Sequence, residues 1–456
     1  MLNKPLKTGA AFFYFYSLNF RIHAMHPEIS KLYNHYLKYP EISTDSRKVK
    51  PNTLFFALKG ENFDGNKYAH DALNKGAALA IADDDSIENH DRLIRVHDTL
   101  KTLQELATCH RSQLMIPVIG ITGSNGKTTT KELINAVLNQ KYRTFATTGN
   151  LNNHIGVPLS ILSIDDSHEM AVIEMGANHQ GEIAALCKIA QPDFGIITNI
   201  GKAHLEGFGG YQGVIKAKTE LYGYLKNTHG KVFVNADDEL LAEKSNGMNC
   251  IYYGNDSWTS AAGKITERFP FLAVEILVHN EKLSIQSKMV GSYNLANMVA
   301  AACIGDHFGI SAEKIGIALS AYQPKNNRSQ WLETASNKIV MDAYNANPSS
   351  MLLAIENFAE APFDNKMLIL GDMRELGNES RQEHRNILQK VSELGFGEVI
   401  LVGQEFKKAA GKDTFYKIYD DVNQAVQGFQ KSKPSNKTIL TKGSRGIQLE
   451  KILEVL

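Results

Sequence analysis

Short apolar runs that end in glycine, asparagine or aspartate recur along the chain, and stretches with helical spacing of apolar residues separate them. That alternation predicts an α/β protein in which most strands are followed by a helix. From Met25 to about Cys109 the pattern gives strands over 53–58 and 76–82, with a short helix through Ala69, Ala72 and Leu73 between them. A helix over 100–112 leads out of this block. The next block has apolar strands over 115–121, 170–175, 194–200 and 231–235 and helices over 129–140 and 213–225. Residues 251–290 alternate short apolar runs with turns, the pattern of a small antiparallel sheet appended to the same domain. From about Pro324 a third block begins, with strands over 338–342, 366–370, 398–402 and 438–440 and helical segments between them, a doubly wound unit. Three domains are expected, at 25–109, 110–323 and 324–456.

The 456 residues suit two or three domains. Lysine plus arginine and aspartate plus glutamate each total 49, so the formal net charge is zero. A balanced chain lacks a broad polyanion-binding surface, so no nucleic-acid partner is expected and basic residues are left for local anion sites. No apolar run reaches the ~18 residues of a membrane span. Cys109, Cys187, Cys250 and Cys303 are far apart and match no metal or redox spacing, as in a reduced, cytoplasmic protein. A monomer is expected. Before Met25, Lys4 and Lys7 precede an aromatic stretch, Ala10 to Tyr16. It is short, is followed closely by Ser17 and Asn19, and lacks a small-x-small cleavage site, so residues 1–24 are read as a non-essential extension or a mis-assigned start rather than a secretory signal.

Composition leaves the chemistry open; one stretch narrows it. Ile119-Gly120-Ile121-Thr122-Gly123-Ser124-Asn125-Gly126-Lys127-Thr128-Thr129-Thr130 lies between the 115–121 strand and a helix carrying Leu133, Ile134, Val137 and Leu138. Strand, glycine turn, Gly-Lys-Thr and helix make a phosphate cradle. Gly123 and Gly126 let N–H groups of Ser124, Asn125 and their neighbours approach an anion. Lys127 supplies a point charge, Thr128 a hydroxyl for Mg²⁺, and Thr129 opens the helix. Ile121 stands where the full P-loop pattern has glycine. A nucleoside triphosphate with Mg²⁺ is the expected ligand.

Other polar groups gather at strand ends. Gly149-Asn150-Leu151-Asn152-Asn153-His154 is too polar for a core and suits a ligand loop, since each amide both donates and accepts. Glu174 closes one strand and His204 follows another, where a parallel sheet faces its ligand and where a carboxylate or imidazole would meet a metal ion. Ser46 and Arg47, beside glycine turns, fit either a diphosphate or sugar site or a surface cap. Tyr293, Asn294 and Asn297 fit an adenine clamp or a helix cap. In the third block, Asp342-Ala343-Tyr344-Asn345-Ala346-Asn347, Gly371-Asp372-Met373-Arg374-Glu375 and Lys442-Gly443-Ser444-Arg445-Gly446 all end strands, and Arg328 precedes them as a phosphate contact.

Read in order, Thr-Gly-Ser-Asn-Gly-Lys-Thr, Asn-x-Asn-Asn-x-x-Gly-x-Pro, Glu-Met-Gly, Asn-Ile-x-x-x-His, Ala-Lys-x-Glu, Asn-x-x-Asn and Asp-x-Tyr-Asn-Ala-Asn-Pro resemble the Mur ligases of peptidoglycan synthesis. The resemblance runs from about Ser43 to Gly446. Tyr-Asn-Ala-Asn-Pro-Ser-Ser-Met, Leu-Gly-Asp-Met-x-Glu-Leu-Gly and Lys-Gly-Ser-Arg-Gly are the most discriminating segments. They are similar to the branch that joins D-alanyl-D-alanine to UDP-N-acetylmuramoyl-tripeptide. The Asp-Asn-Pro-Arg signature of the branch adding diaminopimelate or lysine is absent.

The resemblance implies an ATP-dependent amide ligase with a small N-terminal substrate domain, a central P-loop domain and a Rossmann-like C-terminal domain. It implies that ATP phosphorylates the terminal carboxylate and that the incoming amine displaces phosphate. Lys127 and Arg328 would neutralise the γ-phosphoryl group. Thr128 and Glu174 would hold one Mg²⁺, and His204 a second, supported by Lys218 if it is carbamylated. Asn294 and Asn297 would contact adenine, although many relatives have histidine where Tyr293 stands. Asp342, Tyr344, Asn345 and Asn347 would close over ATP and the acceptor. Ser46, Arg47, Thr148, Asn150, Asn152 and Asn153 would grip the UDP-linked substrate. The competing readings are the diaminopimelate- or lysine-adding branch, a folylpolyglutamate-type ligase, and an NTP-driven switch protein with no amine substrate.

Overall fold

A computed structural model describes residues 27–411 and 415–456, so the extension before Met25 lies outside the described residues. The chain divides into two compact units. One holds the described residues up to Pro117 together with Thr147–His168 and Ala185–Gln191; the other holds Val118–Ala146, Glu169–Ala184 and Pro192–Leu456.

The first unit opens with helix α1 (Pro27–Lys38) and a four-stranded parallel sheet of β1 (Ile42–Ser43), β2 (Leu54–Phe56), β5 (Leu79–Ala82) and β6 (Leu93–Arg95), in that order. A two-stranded hairpin, β3 (Lys59–Gly60) with β4 (Phe63–Asp64), and helix α2 (Ala69–Asn74) link β2 to β5. Helix α3 (Thr99–Gln113) starts where the Asp98 side chain accepts a hydrogen bond from Lys101 N, an N-cap. Helix α5 (Gly156–Leu162) belongs to this unit too. The Tyr36 hydroxyl donates to Leu162 O at 2.7 Å, and His110 Nε2 lies 2.7 Å from Ile164 O. Arg111, 0% exposed, donates to the carbonyls of Leu114, Ala190 and Gln191, so its buried charge is hydrogen-bonded on three sides. These long-range bonds explain why residues 147–168 fold with the first unit although the sequence pattern groups them with the cradle.

The second unit carries two sheets. The larger has nine strands in the order β15-β14-β13-β12-β11-β10-β7-β9-β8. They are β7 (Val118–Thr122), β8 (Thr144–Ala146), β9 (Met170–Glu174), β10 (Phe194–Ile197), β11 (Lys231–Asn235), β12 (Asn249–Gly254), β13 (Ala261–Glu267), β14 (Ala273–Val278) and β15 (Glu281–Gln286). Pairing is parallel from β8 to β13 and antiparallel beyond it. The expected antiparallel strands are present, and they continue the edge of the large sheet. All five residues of β7 are buried, as expected of a strand covered on both faces. Its Ile119 and Ile121 pack with Leu133 and Val137 of α4 (Lys127–Leu138) and with Val299 and Cys303 of α8 (Asn294–His307) in one core. Truncating Ile121 to alanine there would cost about 2–5 kcal/mol.

Helix α6 (Leu205–Phe208) and helix α7 (Tyr211–Asn227) follow β10, and helix α9 (Ala312–Ala321) closes this part. The smaller sheet has the order β16-β17-β21-β18-β19-β20: β16 (Gln330–Glu333), β17 (Asn337–Asp342), β18 (Lys366–Gly371), β19 (Val399–Val402), β20 (Lys417–Tyr419) and β21 (Lys437–Lys442). All pair in parallel except β16. Helix α10 (Pro348–Glu360) leaves β17 through a capping box: Asn347 Oδ1 accepts from Ser350 N, Ser350 Oγ accepts from Asn347 N, and Pro348 sits at the first helical position. Helix α11 (Ser380–Glu393) follows β18. The four cysteines are unpaired with one another.

Candidate active site

In the large sheet the chain leaves β7 for the edge strand β8, returns to β9 on one side of β7, and crosses to β10 on the other. A crevice therefore opens at the C-terminal end of β7, where ligands of open α/β sheets bind. The cradle fills it. Gly123 has φ +143°, and a Cβ there would fall 2.1 Å from Thr198 Oγ1; Gly126 has φ +78°. Neither position tolerates an ordinary side chain. The loop after β10 braces the cradle from the other side. Ser124 N donates to Asn199 O at 2.9 Å, Asn125 N to Asn199 Oδ1 at 3.1 Å, and Thr198 Oγ1 to Asn125 O at 2.6 Å. Ser124 Oγ bonds both Gly201 O and Gly201 N. The Lys127 ammonium folds back over the loop and donates to Gly123 O at 2.7 Å and Ser124 O at 3.2 Å. Thr129 lies half-buried in the first turn of α4.

The register of β7 against β9 sets Glu174 level with Ile121, two residues before Gly123. Thr128 Oγ1 donates to Glu174 Oε2 at 3.0 Å, and both residues are buried. A hydroxyl and a carboxylate at the phosphate end of a cradle fit Mg²⁺, which takes one or two protein oxygens and completes its shell with phosphate and water. No group of three or more His, Cys, Asp or Glu able to hold an ion by itself occurs among the described residues. Lys127 is held below the ordinary lysine range first by burial; Glu174 pulls it back up, and the charge of Arg328 pushes it further down. The two cations are thus near enough for their charges to repel, a repulsion that a bound anion would relieve. Arg328 is fixed by stacking, its guanidinium 3.6 Å from the centre of the Tyr344 ring. Its neighbours Asn326, Asn327 and Ser329 all have left-handed backbones, at φ +58°, +57° and +47°.

Lys218 is 1% exposed, lies 5.0 Å over the Phe208 ring, and has Nζ 3.4 Å from Ala177 O. Burial pushes its ammonium down to about 7, with the Lys127 charge adding to the effect. His204 packs edge-on against the same Phe208 ring, at 6.2 Å between centres. Its Nδ1 is in ion-pair contact with Glu375 Oε2, and that contact first, opposed by burial, holds the Glu375 carboxyl below its usual range. Both residues have left-handed backbones, His204 at φ +52° and Glu375 at +64°.

The two sheets of this unit meet along the 199–206 segment. Asn347 Nδ2 donates to Asn125 Oδ1 at 2.7 Å, Lys202 N to Ser349 Oγ at 2.9 Å, and Lys202 Nζ to Glu383 Oε1 at 2.7 Å. Other expected contacts are spent inside the protein. Asn297 Nδ2 donates to Asn294 Oδ1, Asn294 Nδ2 to Val290 O, and Thr130 Oγ1 to Asn297 Oδ1, a buried chain that ties α8 to α4 beside Gly126. The Tyr293 hydroxyl pairs with Ser329 Oγ at 2.7 Å. Asp342 Oδ2 accepts from Lys442 Nζ at 2.5 Å, and its Oδ1 from Ser329 N. Asn345 is exposed, with Oδ1 accepting from Ala346 N.

In the first unit, Arg47 Nε and Nη2 grip both oxygens of Asp45, and its side chain is 85% exposed. Ser46 shares that turn, with its carbonyl accepting from Lys75 Nζ. Thr148, Asn150 and Asn153 are exposed on one loop and Asn152 is half-buried there; Asn153 Oδ1 accepts from Ile155 N and Gly156 N at the start of α5. Sequence reasoning passed over Thr198 and Asn199, and it placed Lys442 and Glu375 among the polar strand ends without giving either a role. Thr198 and Asn199 carried a signal, since they end an apolar strand beside the cradle strand. Glu375 stood inside a discriminating motif but had no assigned task.

Three family models cover the chain: the Mur ligase family catalytic domain over 38–111, the Mur ligase middle domain over 121–305, and the Mur ligase glutamate ligase domain over 327–445. The chain is 36% identical over 430 residues to the UDP-N-acetylmuramoyl-tripeptide–D-alanyl-D-alanine ligase of Bacillus subtilis, covering 91% of this chain and 92% of that one. It superposes on MurF from Acinetobacter baumannii with a TM-score of 0.83 at 32% identity, over 91% and 92% of the two chains. It superposes on MurF ligase from Thermotoga maritima in complex with ADP with a TM-score of 0.82 at 28% identity, over 92% and 97%. Three matching domain models and 36% identity over nine-tenths of both chains show that the chain belongs to the Mur ligase family.

Proposed function

We propose that this chain joins D-alanyl-D-alanine to UDP-N-acetylmuramoyl-tripeptide at the expense of ATP, giving ADP and phosphate, in peptidoglycan precursor synthesis. The observation that carries the reading is the glycine cradle with the Lys127 ammonium folded back over its loop and the Thr128–Glu174 pair beside it, with Arg328 near enough for its charge to act on Lys127. The likeness to the Bacillus subtilis ligase over nine-tenths of both chains supports it.

An oxygen of the substrate carboxylate attacks the γ-phosphorus, the bond to ADP breaks, and an acyl phosphate forms. The dipeptide amine then attacks the acyl carbon, loses a proton, and the carbon–oxygen bond to phosphate breaks. Lys127 and Arg328 neutralise the oxygens of the transferring group, the main task left to the protein in such chemistry. Thr128 and Glu174 would hold one Mg²⁺, and His204 with Lys218 a second. Bound Mg²⁺ supplies further charge neutralisation at the phosphoryl oxygens. Lys218 is buried and readily neutral, the amine form that adds CO₂ to give a carbamate and a proton. Docking of the two sheets shuts water away from the acyl phosphate.

On this reading residues 25–109 serve the UDP-linked substrate through Ser46 and Arg47, with Thr148, Asn150, Asn152 and Asn153 as further contacts. Residues 110–323 serve ATP. Residues 324–456 close over ATP through Asp342 and Asn345 and serve the acceptor through Tyr344 and Asn347. No helix among the described residues is long and apolar enough to cross a membrane; a cytoplasmic monomer is part of the proposal. The test is phosphate release from ATP with UDP-N-acetylmuramoyl-tripeptide, with and without D-alanyl-D-alanine. Release that depends on the dipeptide supports the reading. Release with a single amino acid instead, or with no amine at all, overturns it.

A further inference from the structure

A second concave site lies at the far end of helix α8 from the cradle. The first turn of α8 sets Asn297 against Gly126, and the last turn ends at His307. A helix of 14 residues spans about 21 Å, so the two places are well separated. Strand pairing opens the space. β12 meets β13 at Tyr253 and Gly254, while Asn249 to Ile251 pair with β11 alone among the described strands. A cavity of about 450 Å³ occupies the gap where β12 runs on without β13. That is the size of a small-molecule site.

The walls combine an apolar part with a few polar groups. Ile251 and Leu277 supply the first, and the loop from Ser257 to Ser260 supplies hydroxyls. Thr259 Oγ1 lies 2.6 Å from Asp256 O and 2.9 Å from Ala261 O, which fixes that loop. Among the described lining residues Asp306 is the one carboxylate, and none is a lysine or arginine.

Asp306 is poorly compensated. Its side chain is 11% exposed, and its charged neighbour is His279, with Nδ1 in ion-pair contact with Oδ1 at 2.7 Å. Burial first, with His279 pulling the other way, pushes the Asp306 carboxyl above its usual range. His279 itself stands 78% exposed in the two-residue turn from β14 to β15, where His279 and Asn280 have φ +47° and +64°. An imidazole carries charge only when protonated. His307, pushed down to about 4 by burial and then by the charge of Lys231, faces the cavity as a neutral ring. A carboxylate taken out of water calls for a full cation beside it, and an exposed imidazole is a weak one.

We propose that this cavity binds a small organic ammonium ion, its charged nitrogen paired with Asp306 and its apolar body against Ile251 and Leu277. His279 holds the place of the cation at the rim and gives way to it. The site is separate from the ligase reading, which uses none of these residues.

The test uses the full chain and three probes of one shape: benzylammonium, benzyl alcohol and benzoate, which differ in charge. Binding is followed by the Ile251 methyl signal in isoleucine-labelled protein, assigned by its loss in I251V. D306N keeps the shape of the side chain and removes its charge. Because burial already disfavours that charge, D306N is expected to fold as stably as the wild type. H279N suits the left-handed turn and removes the imidazole.

Benzylammonium is expected to shift the Ile251 signal saturably, with a Kd on the order of 1 mM, as small probes reach. Benzyl alcohol should bind roughly 10-fold more weakly, and benzoate should leave the signal in place. D306N should bind benzylammonium no better than benzyl alcohol, and H279N should bind it at least as tightly as the wild type. Three probes bound alike, no saturable shift, or benzylammonium binding untouched by D306N overturns the proposal. So does weaker binding in H279N, since the imidazole would then be a partner of the ligand rather than its stand-in. The three probes on the wild type decide the matter even where a variant fails to fold.

Discussion

Asn347 Nδ2 donates to Asn125 Oδ1 at 2.7 Å, so a residue at the end of the C-terminal sheet touches the phosphate cradle itself. The same Asn347 caps helix α10 with its Oδ1. One side chain thus serves a helix with one end and a docking contact with the other, and the two roles are separable.

Asn347→Ser keeps a capping oxygen but is too short to reach Asn125. Its stability is expected to stay within about 0.5 kcal/mol of wild type, because serine and asparagine cap nearly equally. Loss of one neutral hydrogen bond, about 1 kcal/mol, is expected to cost roughly five-fold in kcat/KM for ATP. Asn347→Ala should lose both, with about 1 kcal/mol off the stability. Thermal melts beside steady-state kinetics separate the cases.

Arg328→Lys keeps the charge and loses the planar stack on Tyr344. A flexible ammonium is not held over the cradle as the guanidinium is. With a stacking contribution of about 1–2 kcal/mol, kcat should fall roughly 10-fold, while Arg328→Ala should fall on the order of 1,000-fold. Ligation rates at saturating ATP read both.

Gly123→Ala places a Cβ 2.1 Å from Thr198 Oγ1 on a backbone at φ +143°. The loop must shift, and the bonds from Ser124 N to Asn199 O and from Thr198 Oγ1 to Asn125 O shift with it. We expect about 1–3 kcal/mol lost in unfolding free energy, and no nucleotide binding by calorimetry. The double variant Gly123→Ala/Thr198→Gly should recover part of the stability, because the clashing hydroxyl is gone.

His307 is pushed down to about 4, first by burial and then by the charge of Lys231, among the rings of Phe194, Phe233 and Phe308. Between about pH 4 and the ordinary value of 6.5 the unfolded chain binds a proton that the folded one does not. Its contribution is therefore whole above pH 6.5 and declines as the pH falls toward 4, by up to about 1.4 kcal/mol per pH unit. Urea unfolding of wild type and His307→Phe at pH 5 and pH 7 should show a gap that favours the variant at the lower pH.

How much of this was legible depended on the range of the interaction. The strand, glycine turn and helix of the cradle announced themselves because the period of the apolar residues changes from strand to helix across Gly123–Lys127. Glu174 was readable because it ends an apolar run. The antiparallel strands β13 to β15 were readable as strands, but not their continuity with the large sheet, because pairing at an edge leaves no local trace. The same holds for Thr198, which fills the space that Gly123 leaves open, and for Lys442, whose place beside Asp342 follows from the register of β17 and β21. Residues 147–168 fold with the first unit through Tyr36 and His110, far away in sequence. Asn294 and Asn297 look like ligand amides in sequence; the bonds that also tie them to one another, to Val290 O and to Thr130 Oγ1 leave no trace there.

The mutual repulsion of Lys127 and Arg328 also bears on affinity. Arg328 borders the C-terminal sheet, so bringing that sheet home places like charges together, an electrostatic cost that a polyphosphate between them turns into a gain. Nucleotide binding and docking are then thermodynamically linked: whatever factor the nucleotide adds to the docking equilibrium, docking returns to nucleotide affinity. Salt, which screens the repulsion, should favour docking of the bare protein and weaken the nucleotide's further effect on it.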